Sequence, residues 1–153
     1  MKRNHWSEKE KGQSLTELAL TLAFLLLILV GIIDIGHAVF VYITLRDAAQ
    51  EGAVYASYQP ADCNGIIDRI ETYSKQPVDF ENGISDGTVS VSVLIDGTAC
   101  SSAGSPCAGQ DVEVIVTYND LEITTPFLGA IIGTQTVDIT ASVVDTILTP
   151  ICP

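Results

Sequence analysis

Residues 18–33 read LALTLAFLLLILVGII, sixteen consecutive positions with a single Thr and no charge. As a helix this run would measure about 24 Å, a little short of the roughly 30 Å hydrocarbon core of a bilayer. The apolar character resumes after Asp34, through Ile35, Ala38, Val39, Phe40, Val41, Tyr42 and Ile43 to Leu45. The combined run is long enough to cross, with Asp34 and His37 near its outer end. A secretory signal peptide has a similar basic and then apolar start. Here no A-x-A-type cleavage site follows the run, and the helical pattern continues past it. A retained single span is expected.

The distribution of charge sets the orientation. Residues 1–12 hold Lys2, Arg3, Lys9 and Lys11 against Glu8 and Glu10, whereas residues 76–153 contain ten acids and no Lys or Arg. Cytoplasmic flanks collect Lys and Arg, so the N-terminus is expected inside and the acidic part outside. The net charge of −12 repels phosphate and argues against nucleic acid as a partner. With 47% hydrophobic residues, the chain is also unlike a disordered one.

The helix should be long. Ser14-Leu15-Thr16-Glu17 has the pattern of a capping box just ahead of the apolar run. No Pro occurs before Pro60, so a helix from Ser14 to about Ser57 would reach roughly 66 Å, about twice the hydrocarbon thickness. Its second half must leave the membrane and pack on something. That half places small residues at Ala48, Gly52 and Ala56 and again at Ala49, Ala53 and Ser57. Spacing of four puts each set on one face, where another backbone can approach closely. Docking on the chain's own sheet and contact with a neighbouring subunit are both open to these faces.

Beyond Pro60 the periodicity changes. Ile66, Ile67, Ile70 and Tyr73 mark one face of a short helix over residues 65–75. Residues 88–95, 111–118 and 136–143 each alternate apolar and polar side chains, with Val89, Val91, Val93 and Ile95 on one face of the first, which predicts half-buried antiparallel strands. Their apolar face needs a cover that the emergent helix can supply. Residues 125–133, TPFLGAIIG, form either a buried turn or an apolar patch facing a partner or the membrane. The fold class is α+β: a long N-terminal transmembrane helix continuing into a head with a three- to four-stranded antiparallel sheet. The expected divisions are a leader at 1–12, the transmembrane and emergent helix at 13–57, and the head at 58–153.

Cys63, Cys100, Cys107 and Cys152 all lie outside the span, and an even count in an exported region suggests disulfides. Cys100 and Cys107 flank a short loop between strands and are expected to pair, leaving Cys63 with Cys152. A metal site is disfavoured, because the cysteines lack C-x-x-C spacing and both histidines, His5 and His37, lie outside the head. The same placement of His5 and His37 rules out a Ser/His/Asp arrangement in the head. Paired carboxylates such as Asp111/Glu113 and Asp120/Glu122 fall on one strand face, the solvated one. No phosphate-binding glycine loop occurs. The chain reads as a non-enzyme with no cofactor.

Asp34 and His37 are one helical turn apart. Such a pair could reach interfacial water or pair between subunits in a helical bundle.

The N-terminal stretch Lys9-Glu10-Lys11-Gly12-Gln13-Ser14-Leu15-Thr16-Glu17 resembles the processing site of type IV pilin-like proteins. That resemblance implies a prepilin peptidase cutting between Gly12 and Gln13, with Glu17 becoming the fifth mature residue. A carboxylate among packed helices is costly unless paired, and a neighbour's new amino terminus would be a suitable partner. Together with residues 33–38 (IDIGHA) and 47–56 (DAAQEGAVYA), and further similarity at 112–118, 125–129 and the last strand, the pattern resembles the TadE-like family. These are pseudopilin-type membrane proteins of tight-adherence pilus assembly. His37 stands where the family would more often have Arg, and the loop between Cys100 and Cys107 looks like an insertion. The resemblance implies a minor pilin or assembly factor in the bacterial inner membrane, or in a surface filament, working with other pilin-like subunits through helix packing. Glu17, Asp34, His37, Ala48, Gly52 and Ala56 are the packing candidates. The competing expectation is a permanently anchored surface protein whose acidic head binds a ligand; an exported hydrolase ranks last.

Overall fold

The structure, a computed structural model, describes residues 7–73, 76–125, 129, 130 and 132–151, with side chains from residue 12 onward. Helix α1 runs Ser7–Tyr58, 52 residues, or about 78 Å. It starts a full two turns before Ser14, so the expected capping box is not a helix start. Glu8, Lys9, Glu10, Lys11 and Gln13 are good helix formers, and nothing among them stops the helix from extending toward the N-terminus. Thr16 and Thr21 return their hydroxyls to Gln13 and Glu17 carbonyls in the preceding turn.

Past α1 the chain turns at Pro60 and enters α2 (Cys63–Glu71), capped by Asp62, whose carboxylate accepts the Gly65 N–H. Ile66 and Ile70 are the buried face of α2, while Tyr73 falls beyond its end and is half exposed. A second short helix, α3 (Phe80–Asp86), was not expected from periodicity. Its marks are an Asp79 cap and Gly87 at a φ of 86°, the left-handed stop that glycine adopts freely. Seven residues carry too little of a repeat to register as amphipathic.

The sheet is antiparallel and ordered β2-β1-β3-β4, with β1 at Val89–Ile95, β2 at Thr98–Ala99, β3 at Asp111–Glu122 and β4 at Thr136–Thr146. Asp96 and Gly97 both have positive φ, as the two-residue turn joining β1 to β2 requires. β3 and β4 outrun their alternating cores. A register shift between Tyr118 and Leu121, with Asp120 at a φ of 58°, lets β3 continue beyond Tyr118 with Leu121 still facing inward.

The inward faces follow the alternation over β1, β3 and the middle of β4, while Val137 near the start of β4 is exposed. Val89, Val93, Ile95, Val112, Val114, Val116 and Ala141 are buried. They pack against Val41, Leu45, Ala49 and Ala53 of α1, with Phe80 closing the cluster from α3. The core of the head is therefore built on the second half of the same helix that begins as an apolar rod.

Candidate assembly and membrane helix

Along α1 the environment reverses at about residue 41. Leu18, Phe24 and Ile33 are 63%, 65% and 60% exposed, whereas Val41 and Leu45 are 1% and 0%. Every Leu, Ile and Phe from Leu15 to Ile43 is exposed within this chain. Exposing so many large apolar side chains on every side of a helix is stable only in lipid or among other helices. Among the described residues one helix meets the length and composition of a membrane span, and none of its most apolar stretch is buried by them.

At the start of this surface the Gln13 amide donates to Glu17 Oε1 at 3.1 Å, an exposed pair one turn apart. Gly12 lies inside the helix, and a Cβ added there would meet nothing within 4 Å. Glycine at such a position costs roughly 0.5–1 kcal/mol relative to Ala, so nothing in the fold calls for it.

Asp34 has a partner that neither expectation named. The Thr125 backbone N–H and hydroxyl donate to the same carboxylate oxygen at 2.8 and 2.5 Å, across 91 residues of sequence. Thr125 is buried. The loop after β3 thus clasps α1 at the edge of the apolar run, and the carboxylate is satisfied within the chain. Thr125 carried no signal of its own in the sequence, since a Thr before a Pro marks a turn and not a partner 91 residues away. His37, one turn on, stays exposed and lines a cavity of about 260 Å³ together with Ile35, Ala38 and the edge of β3 and β4. Of the residues 125–133, Thr125 and Gly129 are buried and Ile132 is 54% exposed. Residues 126–128 and 131 lie outside the described set. Among its described residues the connection thus has both buried and outward-facing positions.

The small-residue faces resolve differently from the subunit-packing expectation. Ala48, Gly52 and Ala56, like Ala49, Ala53 and Ser57, are buried inside this chain. A Cβ on Gly52 would stand 2.9 Å from Ile70 Cδ1, so this face lets α2 lie close against α1. None of the three is available to a second subunit while the head is folded. A polar group borders the same crossing. The Tyr55 hydroxyl donates to Asp62 at 2.9 Å, the Arg69 guanidinium sits 5.2 Å from the Tyr55 ring centre, and Arg69 reaches Glu51 at 3.9 Å. The Gly65 N–H and then the Tyr55 hydroxyl hold the Asp62 carboxyl below the usual carboxylate range, and Asp62 in turn pushes the Tyr55 phenol up.

The expected disulfide pairing is corrected. Cys63 joins Cys100, with Cα atoms 6.0 Å apart, within the ordinary range. Cys63 opens α2, which packs on α1, and across a shallow cleft from β1 it meets Cys100 in the turn after β2. Cys107 is also disulfide-bonded. The neighbouring Ala108 N–H donates to the Pro150 carbonyl at 2.6 Å, so the Cys107 loop lies against the C-terminal segment. Cys152 is outside the described residues. No group of His, Cys, Asp and Glu among the described residues could hold a metal ion.

A family model described as TadE-like protein matches residues 12–54, which takes in the exposed apolar run, Asp34 and His37, and the small-residue turns up to Val54. The similarities read at 112–118 and 125–129 fall outside that match. No curated protein and no solved structure is matched by the chain. Over residues 12–54 of its long helix, then, the chain is similar to, and consistent with, a TadE-like protein.

Proposed function

We propose that this chain is a membrane-anchored, pilin-like minor subunit or assembly factor of a tight-adherence pilus, held by a single span with its head outside the cytoplasm, and acting through the exposed part of α1. The supporting observation is the reversal along one continuous helix. Residues 15–40 show large apolar side chains to the outside, and residues 41–57 are built into the head. A rod of this kind can stand in lipid and can equally pack against identical rods, while the rigid continuation transmits its position to the head.

In this reading residues 1–12 are a leader removed by a prepilin peptidase, Gly12 is kept for the close fit of the peptidase, and Glu17 pairs with the new amino terminus of a neighbour. Pairing between subunits rests on Glu17, exposed at the start of the apolar surface, and on the exposed His37. Asp34 is engaged by Thr125.

The test is mass determination of the protein purified from membranes, together with the Gly12→Leu and Glu17→Ala variants. A mature form beginning at Gln13, lost in Gly12→Leu, is expected. Glu17→Ala should insert and fold but fail to enter complexes. An intact Met1 in the mature protein, with normal incorporation of both variants, would leave only a plain anchor.

A further inference from the structure

We propose that the cavity beside Asp34 binds a stretch of acyl chain from a phospholipid of the surrounding leaflet, so that this edge of the head is seated in the membrane interface. The cavity is walled by Ile35 and Ala38 of α1 and by Leu121, Ile123, Val137 and Ile139 of the sheet edge. Its volume of about 260 Å³ suits a length of hydrocarbon and not a whole lipid.

Its depth follows from the helix. A span needs about 20 residues, and 20 counted from Leu18 end at His37. The cavity's α1 wall, Asp34 to Ala38, therefore stands at the outer boundary of the hydrocarbon. Uncovered apolar surface also continues past that boundary and the exposed His37. Val39, Phe40 and Ile43 are exposed on α1, and Ile132 and Val137 on the facing edge of the head are 54% and 37% exposed. Residues 15–43 measure about 43 Å as helix, against a core of roughly 30 Å, and an ordinary tilt of about 20° absorbs only a few ångströms of the difference. The surplus lies where the cavity opens. The carboxylate that would interrupt this surface, Asp34, is turned to Thr125. Residues 76–153 offer no Lys or Arg to an anionic headgroup, and Asp34, His37 and Glu122 are the ionisable groups lining the cavity, so a zwitterionic phospholipid is the probe.

The proposal rests on the membrane-span reading of α1, and the experiment separates the two. Trp6 is the single Trp of the chain. In a Trp6→Phe background, Ile132→Trp is placed in nanodiscs of phosphatidylcholine whose acyl chains are brominated near the ester end, one protein per disc. Phe24→Trp serves as the span control. Leu148→Trp, whose backbone meets Ser57 at the far end of the head, serves as the remote control. The Ile132→Trp fluorescence should be lost nearly as strongly as that of Phe24→Trp, with Leu148→Trp unaffected. Quenching of Phe24→Trp alone would overturn the proposal and leave the span standing; no quenching at any site would remove both. Quenching of Ile132→Trp at one protein per disc that disappears at two per disc would assign the cavity to a second copy and also overturn it. Val137→Trp repeats the measurement should Ile132→Trp fail to form the Cys63–Cys100 link.

Discussion

Replacing Gly52 separates a residue that serves the fold from one that serves assembly. Gly52 sits at the α1–α2 crossing, and an added Cβ would stand 2.9 and 3.0 Å from Ile70 Cδ1 and Cγ1 and 3.5 Å from Ile66 Cγ2. Both isoleucines are fully buried. For Gly52→Ala, removing a helix-interior glycine gains about 0.5–1 kcal/mol. Pushing the tip of Ile70 off its rotamer costs about 0.5–1.5 kcal/mol. The two nearly cancel, and the net change should lie within about 1 kcal/mol of zero. Gly52→Leu cannot be absorbed by one side-chain tip and should cost about 1–3 kcal/mol as overpacking. For a head of this size each kcal/mol lowers Tm by about 4–8 °C. The assay is thermal unfolding of the full chain in detergent micelles, followed by the near-ultraviolet circular dichroism of the tyrosines. A Gly52→Leu protein that melts with the parent yet fails to assemble would refute the intrachain role and return the small-residue face to subunit packing.

Two further outcomes follow from the head. Non-reducing peptide mapping should find Cys63 linked to Cys100, which leaves Cys107 with Cys152 as the second link open to the four cysteines; for a sequence separation of 37 the chain-entropy model gives about 4 kcal/mol, so Cys100→Ser should lower the Tm clearly, and a Cys100–Cys107 peptide would contradict the structure. Asp62 has a carboxyl pKa held below its unfolded value by the Gly65 N–H and the Tyr55 hydroxyl. Its contribution is therefore present above the unfolded value of about 3.9 and is lost as pH falls through the lower folded one. Acid unfolding of Asp62→Asn should show a shallower loss of stability in that window, and an unchanged profile would count against the cap.

The apolar rod, the alternating strands and the α+β class were legible in the sequence, because each depends on a local pattern that side chains display along the chain. An apolar run like 18–33 is confined to lipid or a core whatever surrounds it, and Val112, Val114 and Val116 face inward because a strand alternates. Local patterns were weaker where the competing states were also local: the Ser14–Glu17 box marked no helix start, since the residues before it are equally content in a helix. What the tertiary structure alone decided was partnership. Asp34 could have met water or a neighbouring subunit and instead meets Thr125, 91 residues away. Gly52 could have received any backbone and receives α2. Cys63 could have closed the tail and instead closes the turn after β2. In each case the residue states what kind of partner it needs, an N–H, a close surface or a thiol. Which one it finds depends on how the sheet and α2 come to rest on α1, and that is set by the burial of the whole core.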